Sequence, residues 1–570
     1  MKMKEQYIEL LERVFSAYTY ERLQRYKAEV FEKGITEHGF ARVTANLGFL
    51  IAHGRKTELT NDFLEMMDFC CEDMVNMKTR RPLPKLGGNV FTVKEIVFCI
   101  LELEKAKIFD KSVTDGWKEK LSKIDEHLTY SDIASIPPQP LANWAVFCAA
   151  SEQVRKYAGI GGNTEFINNQ IASQLTKFDE NGMYRDPHGP MVYDSVTRLQ
   201  FAIVLHFGFD GELRAWLEEQ MLKSADPTLL MQSVIGEIPF GGRSNQYLHN
   251  DTYWIALCEY YATTFKARGD LKRAGQFKRA ASIATQSVKP WLCEGEIHHI
   301  KNYFPVDSGY GCEPYGYFDK YMVTAGSWLC MAYLFADDTI EEASPPSESG
   351  SYIWETDPFF HMVFMKHGDY SVQYDTNAFG PFDSSGIGRV HKKGAPPAIA
   401  LSVPMMNPSI DYHYPLAPRF DTENDMPFSI ACGVKHGEKF TYATTSADHY
   451  ELISKEVTAD YVSATFKCFL ENGTELTQIC RITDNYVEIN AKSHGDVSIL
   501  IPAFDFDGRE HAKITTTDKS VKVEYKGSVC YYTTDGTVSG GDKVYANKNG
   551  HYRGFETHAY GEVTLKITIN

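Results

Sequence analysis

DDTIEEASPPSESG, running from Asp337 to Gly350, is the stretch on which the reading of this chain turns. It is acidic, carries adjacent prolines at Pro345 and Pro346 and has no apolar periodicity, so it reads as a connection. The sequence on either side follows two different patterns. Upstream, apolar residues recur three and four positions apart in Gln6–Tyr18, Thr92–Ile108, Trp144–Tyr157, Ser195–Phe207, Tyr253–Phe265, Leu271–Val288 and Tyr321–Phe335. Downstream the period is two, in Phe360–Tyr374, Phe428–Thr445, Tyr461–Phe469, Leu476–Ile489 and Val521–Thr533, with turn signals at Asn472-Gly473 and Asp535-Gly536. The spacing predicts a helical domain over residues 1–336, a linker over 337–354 and an antiparallel β-sandwich over 355–570. Strands and helices do not alternate, which argues against a doubly wound sheet or a TIM barrel. The loose rhythm of helical hairpins points to an α/α toroid, incomplete or closed by six hairpins.

A length of 570 residues calls for more than one core. A net charge of −17 argues against a general pull on nucleic acid or an anionic membrane, so an anionic substrate must be met by local cations. The opening segment, MKMKEQYIELLERVFSAYTYERL, has charges every few residues and no apolar run, and no stretch approaches a transmembrane span. The expected compartment is therefore the cytoplasm, which also fits twelve scattered cysteines without finger spacing. The 33 tyrosines suit sugar clefts, because a phenol offers an apolar face and a hydroxyl, and they suit sandwich faces equally.

Three clusters could carry chemistry. In GEIPFGGRSNQYLHND, from Gly236 to Asp251, Gly-Gly-Arg-Ser is expected to open a helix at Ser244, with Ser244 or Asn250 as cap. Asn245 and His249 would then share a face, with Gln246 and Asn250 on the next. Arg243, unpaired N–H groups and the helix dipole suit a carboxylate, while Tyr247 and His249 can exchange protons. Glu237 stands just upstream. A solvated loop before a capped helix is the competing reading.

In MYRDPHGPMVYDSVTR, from Met183 to Arg198, Pro187, Gly189 and Pro190 carry His188, Tyr193 and Asp194 into a helix. Asp194 reads equally as an N-cap or a site residue, and Arg198 as its surface partner or a substrate contact. The third cluster, YFPVDSGYGCEPYGYFDKY from Tyr303 to Tyr321, offers Tyr310 and Tyr315 as walls of a sugar pocket, or as a loop packed under the sandwich. Asn143-Trp144 opens another helix after Pro137-Pro138-Gln139-Pro140, with Asn143 as cap or ligand. His298, His299 and His413 lack the further ligands of a readable metal site, and no nucleotide or α/β-hydrolase motif is present.

The segments EIPFGGRSNQYLHND, NWAVFCAASEQVRKY and GPFDSSGIGRVHKKGAPPAIALS, with the Tyr/Gly-rich loop, resemble the heparinase II/III-like group. That resemblance implies an α/α toroid joined to a β-sandwich, and activity on uronic-acid-containing oligosaccharides. It extends to rhamnosyl-glucuronate lyases and a β-glucuronidase family of the same toroid. In such lyases Asn, Arg or His neutralises the uronate carboxylate while Tyr or His removes the C5 proton. The matching types here are Arg243, Asn245, Tyr247, His249 and Asn250, with Tyr310 able to protonate the leaving oxygen. No metal or organic cofactor is then required.

Hydrolysis needs two carboxyl groups across the scissile bond, with Asp194, Glu237, Asp251, Glu313 and Asp319 as candidates. A non-catalytic sugar-binding protein is the third reading, and homo-oligomerisation is left open. Loops joining successive hairpins emerge at one rim, so Arg243, His249, Asp194 and Tyr310 are expected to converge on one cavity.

Overall fold

The structure is a computed structural model, and it describes residues 2–76, 89–130, 143–187, 189–293, 295–313, 315–378, 382–406, 426–445 and 448–570. His188 and His413 therefore lie outside the described residues.

The first half is helical. Six of its helices, Gly39–Ala52, Asn89–Ala106, Asn143–Tyr157, Met191–His206, Leu248–Ala267 and Phe318–Phe335, each pack on the next, and the last returns to the first. They form the inner wall of a closed toroid. Met3–Phe15, Thr60–Asn76, Thr164–Ala172, Arg214–Lys223 and Leu271–Cys293 pack against inner helices in the alternate chain positions of an outer layer. The inner helices are apolar nearly all round because neighbours cover them on every side; Leu248–Ala262 is buried without a break. The ring closes where Asn46 donates its amide to the Val323 carbonyl at 2.9 Å, and Gly326 leaves the space the Asn46 side chain occupies.

The second half is a sandwich of two antiparallel sheets. Tyr352–Glu355, Met362–His367, Tyr370–Asp375 and Gly386–Lys392 form the smaller sheet in that order. The larger is built on the long pairing of Val487–Phe506 with Gly550–Ile569. Met362–His367 is buried along its whole length because both faces are covered. Met362 and Phe364 point into the toroid core, while Val363 and Met365 point into the sandwich core. One strand thus serves two cores and joins the halves into one body.

Four expected strands are hairpins, Phe428–Thr445 turning at Gly437 and Leu476–Ile489 between Thr483 and Val487. Phe360–Tyr374 turns at Gly368 (φ 52°), and Val521–Thr533 turns at Lys526-Gly527, where both residues are left-handed (φ 46° and 77°). The 337–350 segment is no loose tether. Arg279, on the outer helix Leu271–Cys293, holds Glu342 at 3.1 Å and Glu348 at 2.7 Å, and Lys266 pairs with Asp337. The first strand begins at Tyr352, inside the expected linker. No helix among the described residues is long and apolar enough to cross a membrane.

Candidate active site

At one end of the toroid lies a cavity of about 220 Å³. Its wall is drawn from the first turns of all six inner helices: His38 and Arg42, Phe91, Asn143 and Trp144, Val192 and Tyr193, His249 and Asn250, Lys320 and Tyr321. Six helix N-termini therefore face one space, and their dipoles make it electropositive. The helices starting at Gly39, Met191, Leu248 and Phe318 have no side-chain cap. Asp194, Asp251 and Asp319, the acidic residues in their first turns, are each paired with a cation: Arg198, Lys301 and Arg22. A protein of net charge −17 thus keeps a positive chamber, a favourable place for an anion.

One side of the chamber is assembled by the segment Gly241–Gln246. Gly241, Gly242, Ser244 and Gln246 all have left-handed φ (140°, 74°, 63° and 64°). An α-helix cannot contain such residues, so the helix starts at Leu248 rather than Ser244, and Asn245 shares no helical face with His249. Loop contacts hold this conformation. The Gly242 N–H donates to Asp383 at 2.6 Å, the Ser244 N–H to Glu313 at 2.7 Å, and the Asn245 amide to the Gly242 carbonyl at 2.5 Å. Asn250 donates to the Ser244 carbonyl at 2.6 Å.

This turn sets the Arg243 guanidinium 4.3 Å above the Tyr193 ring and 3.3 Å from Asp186, which accepts from Asn143 at 3.1 Å. The Tyr193 hydroxyl lies 3.2 Å from Ser244 Oγ, which lies 2.6 Å from the Tyr315 hydroxyl. Burial works against the Arg243 charge, but Tyr193 and Asp186 outweigh it and hold the guanidinium above its ordinary pKa. Burial pushes Asp186 up to about 6 despite Arg243 and Asn143. Burial, with Arg42 and other nearby cations, holds His249 and His38 well below the ordinary imidazole value. Both imidazoles are therefore neutral, and His249 Nδ1 has no hydrogen-bond partner among the described residues.

Of the expected site residues, Arg243, His249, Asn143, Trp144, Asn250 and Tyr315 meet at this cavity. Several others do not reach it. Tyr247 is fully buried behind the wall, where its hydroxyl accepts the Glu313 N–H at 2.9 Å. Tyr310 stacks on Phe304 at 3.6 Å beside His551 of the sandwich. Asp194 and Arg198 form a fully buried pair at 2.6 Å instead of a surface pair, and Asp194 also takes the Tyr184 N–H. Asn245 is turned inward on its own loop. Glu237 sits between Lys301 (3.2 Å) and Arg389 (3.3 Å) beside a separate interdomain cavity of about 630 Å³. Arg243 and His249 thus converge as expected, while Asp194 and Tyr310 stand elsewhere. Tyr193, named in the second cluster without a role, lines the cavity, and Tyr321, His38, Arg42 and Lys320 are polar lining residues that the motifs did not single out. Among the described residues, no cluster of His, Cys, Asp and Glu is arranged to hold a metal ion.

No family model matches the chain, and no curated protein matches it in sequence. Solved structures do. The chain is similar to heparinase III at a TM-score of 0.52 and 10% identity, covering 94% of this chain and 77% of that one. A heparan sulfate lyase HepC mutant from Pedobacter heparinus matches at a TM-score of 0.50 and 9% identity, covering 93% and 76%. Xanthan lyase from Paenibacillus matches at a TM-score of 0.50 and 8% identity, covering 99% of this chain and 59% of that one. At such identities the likeness is one of fold: the chain has the α/α toroid and β-sandwich architecture of heparinase-like polysaccharide lyases.

Proposed function

We propose that the protein is an exo-acting lyase that cleaves uronic-acid-containing oligosaccharides by β-elimination, without a metal ion. The observation that carries the reading is the meeting of Arg243, Asn143, Tyr193 and His249 at one electropositive cavity. The C5 proton of a uronate leaves only if the adjacent carboxylate is neutralised. Arg243 supplies the charge, and Asn143 has a second amide N–H beyond the one given to Asp186. These side chains and the helix N-termini provide the stabilisation for which a metal is otherwise used.

His249, a neutral imidazole with an unshared nitrogen, takes the C5 proton. The electron pair forms the C4–C5 double bond, the C4–O bond breaks, and the leaving oxygen takes the proton of Tyr193. The proton on His249 then returns to Tyr193 through solvent. Asn250 and Tyr315 complete the wall around the sugar. The cavity is sized for the end of a chain rather than the middle of a polymer, which favours exo action on short substrates.

Hydrolysis draws no support from the carboxyl groups. Glu237 and Asp251 share Lys301, Glu313 is held by Lys548, and none of these lines the cavity among the described residues. The test is incubation with uronate oligosaccharides, following ultraviolet absorbance of the unsaturated product together with reducing-end release. Absorbance that grows in step with new ends supports elimination. New ends without absorbance would overturn it.

A further inference from the structure

Between the outer helix Leu271–Cys293 and the sandwich lies the cavity of about 630 Å³ beside Glu237. Ligand pockets span about 300–1,000 Å³, so this one is of ordinary ligand size. It shares no lining residue with the toroid chamber, and the elimination chemistry above makes no use of it. Ile283, Ser287 and Trp291 line it from the helix, and Ala395, Pro396 and Pro397 from the sandwich.

Its floor is polar and buried. Lys301 and Glu237 pair there at 3.2 Å, and Asn549, only 4% exposed, stands beside them. The Asn549 side-chain amide donates to the Lys301 carbonyl at 2.9 Å. A backbone carbonyl can only accept, so the amide cannot be turned over. The Asn549 N–H is spent on Asn547 Oδ1 at 2.9 Å. That leaves Asn549 Oδ1 with no hydrogen-bond partner among the described residues. A buried acceptor in this state is costly, and a ligand that brings a donor removes the cost.

Trp291 supplies a flat wall. Tyr303 stacks on the indole with 4.9 Å between centroids, and itself carries Lys526 at 3.9 Å and Arg509 at 4.7 Å. The stack holds the indole in place, and two rings in contact leave no slot for a base between them. The charges around the cavity cancel. Lys301 is met by Glu237, Arg279 and Lys393 by Glu342 and Glu348, and Lys526 by Asp507. Arg509 and Glu510, of opposite sign, stand on the exposed rim. Such a lining favours neither anion nor cation. An aromatic face, a buried acceptor in want of a donor and a neutralised field suit a ligand with a C–H face and many hydroxyls.

We infer that this interdomain cavity is a second ligand site, separate from the toroid chamber, which takes an uncharged sugar. One ring lies against Trp291, and a hydroxyl donates to Asn549 Oδ1. The inference does not depend on elimination at Arg243, and its test needs no turnover.

Cellobiose, lactose and maltose are titrated by calorimetry, with adenosine as the flat uncharged alternative. At least one disaccharide is expected to bind wild type and Arg243→Ala alike. Trp291→Ala should weaken it about tenfold, the scale of one lost aromatic contact. Ser287→Trp and Ala395→Trp fill the cavity from its two walls, and each should abolish binding at the wild-type melting temperature. Either blocking variant suffices where the other does not fold, and Ser287→Ala should bind as wild type does. Binding of no disaccharide, tighter binding of adenosine, or binding that survives in a folded blocking variant overturns the site. So does loss of binding in Arg243→Ala, which would move the sugar to the toroid chamber. Absence of unsaturated product from uronate oligosaccharides, with this binding intact, would count against the lyase reading alone.

Discussion

Among the described residues Arg243 faces a single carboxylate, Asp186, which burial has lifted to about 6. Above that pH Asp186 is an anion competing with the substrate for the same guanidinium; below it Asp186 takes a proton and releases Arg243. A substrate carboxylate stays ionised through this range, so its affinity should rise as pH falls from 7.5 to 5. His38 and His249, both held well below the ordinary imidazole value, do not produce that rise. Titration calorimetry on Asp186→Asn should give a flat profile; a slope that persists would assign the effect to another group. Arg243→Ala should lower kcat/KM by roughly 10²-fold or more, as for loss of one oxyanion donor. The two tyrosines separate cleanly. Tyr193→Phe should reduce turnover by about 10²-fold or more with the fold intact. Tyr247→Phe strands the Glu313 N–H and should instead show as about 1–3 kcal/mol of lost stability by denaturant unfolding, with turnover little changed. Tyr247 stood out in the sequence because it sits among polar neighbours. Only the left-handed residues at Ser244 and Gln246 turn it away from the cavity, and no sequence pattern marks a non-glycine φ above zero.

The loop that aims Arg243 is built on backbone that few residues tolerate. Gly242 has φ 74°, and a Cβ there would meet Pro190 Cβ at 2.6 Å. Pro190 immediately precedes the helix that carries Tyr193, so the segments that carry Arg243 and Tyr193 touch at this glycine. Gly242→Ala should therefore destabilise by about 1–3 kcal/mol and lower kcat. Thermal melts and steady-state kinetics on one preparation check both. An unchanged melt would mean that the loop has room to relax. At this scale the sequence was partly readable. Helical periodicity located five of the six inner helices to within about five residues and passed over Gly39–Ala52, and Gly-Gly-Arg-Ser marked the loop. The starting residue of the Leu248 helix was not readable, since Ser244 carries an ordinary capping side chain on a backbone that the contacts with Asp383 and Glu313 dictate. Lys320, Arg42 and His38 were invisible as a group, because His38 and Arg42 open one helix and Lys320 another, and only ring closure brings the two helices together.

For the molecule as a whole, the change of period at Asp337 separated the two halves correctly in type. The sharing between them could not be read, because Met362–His367 looks like any apolar strand until alternate residues are seen to enter different cores. The deepest link is Lys548, a fully buried sandwich residue. It places its ammonium 2.5 Å from Glu313 and 3.2 Å from the Asn245 carbonyl. Glu313 in turn holds the Ser244 N–H, so a cation from the second half fixes the loop that carries Arg243 in the first. Lys548→Met leaves Glu313 buried without its cation, which should cost about 3–5 kcal/mol. Glu313→Gln alone should be costly for the mirrored reason. The double variant removes both charges and keeps similar shape, so it should be markedly more stable than the sum of the single losses implies. A double-mutant cycle by denaturant unfolding measures this coupling, and activity gives an independent second reading. Without the Lys548 contact to Asn245 the loop is less fixed, so the double variant should recover stability without recovering full kcat. Strictly additive single losses would show that Lys548 and Glu313 act separately, and that the sandwich does not shape the site through this pair.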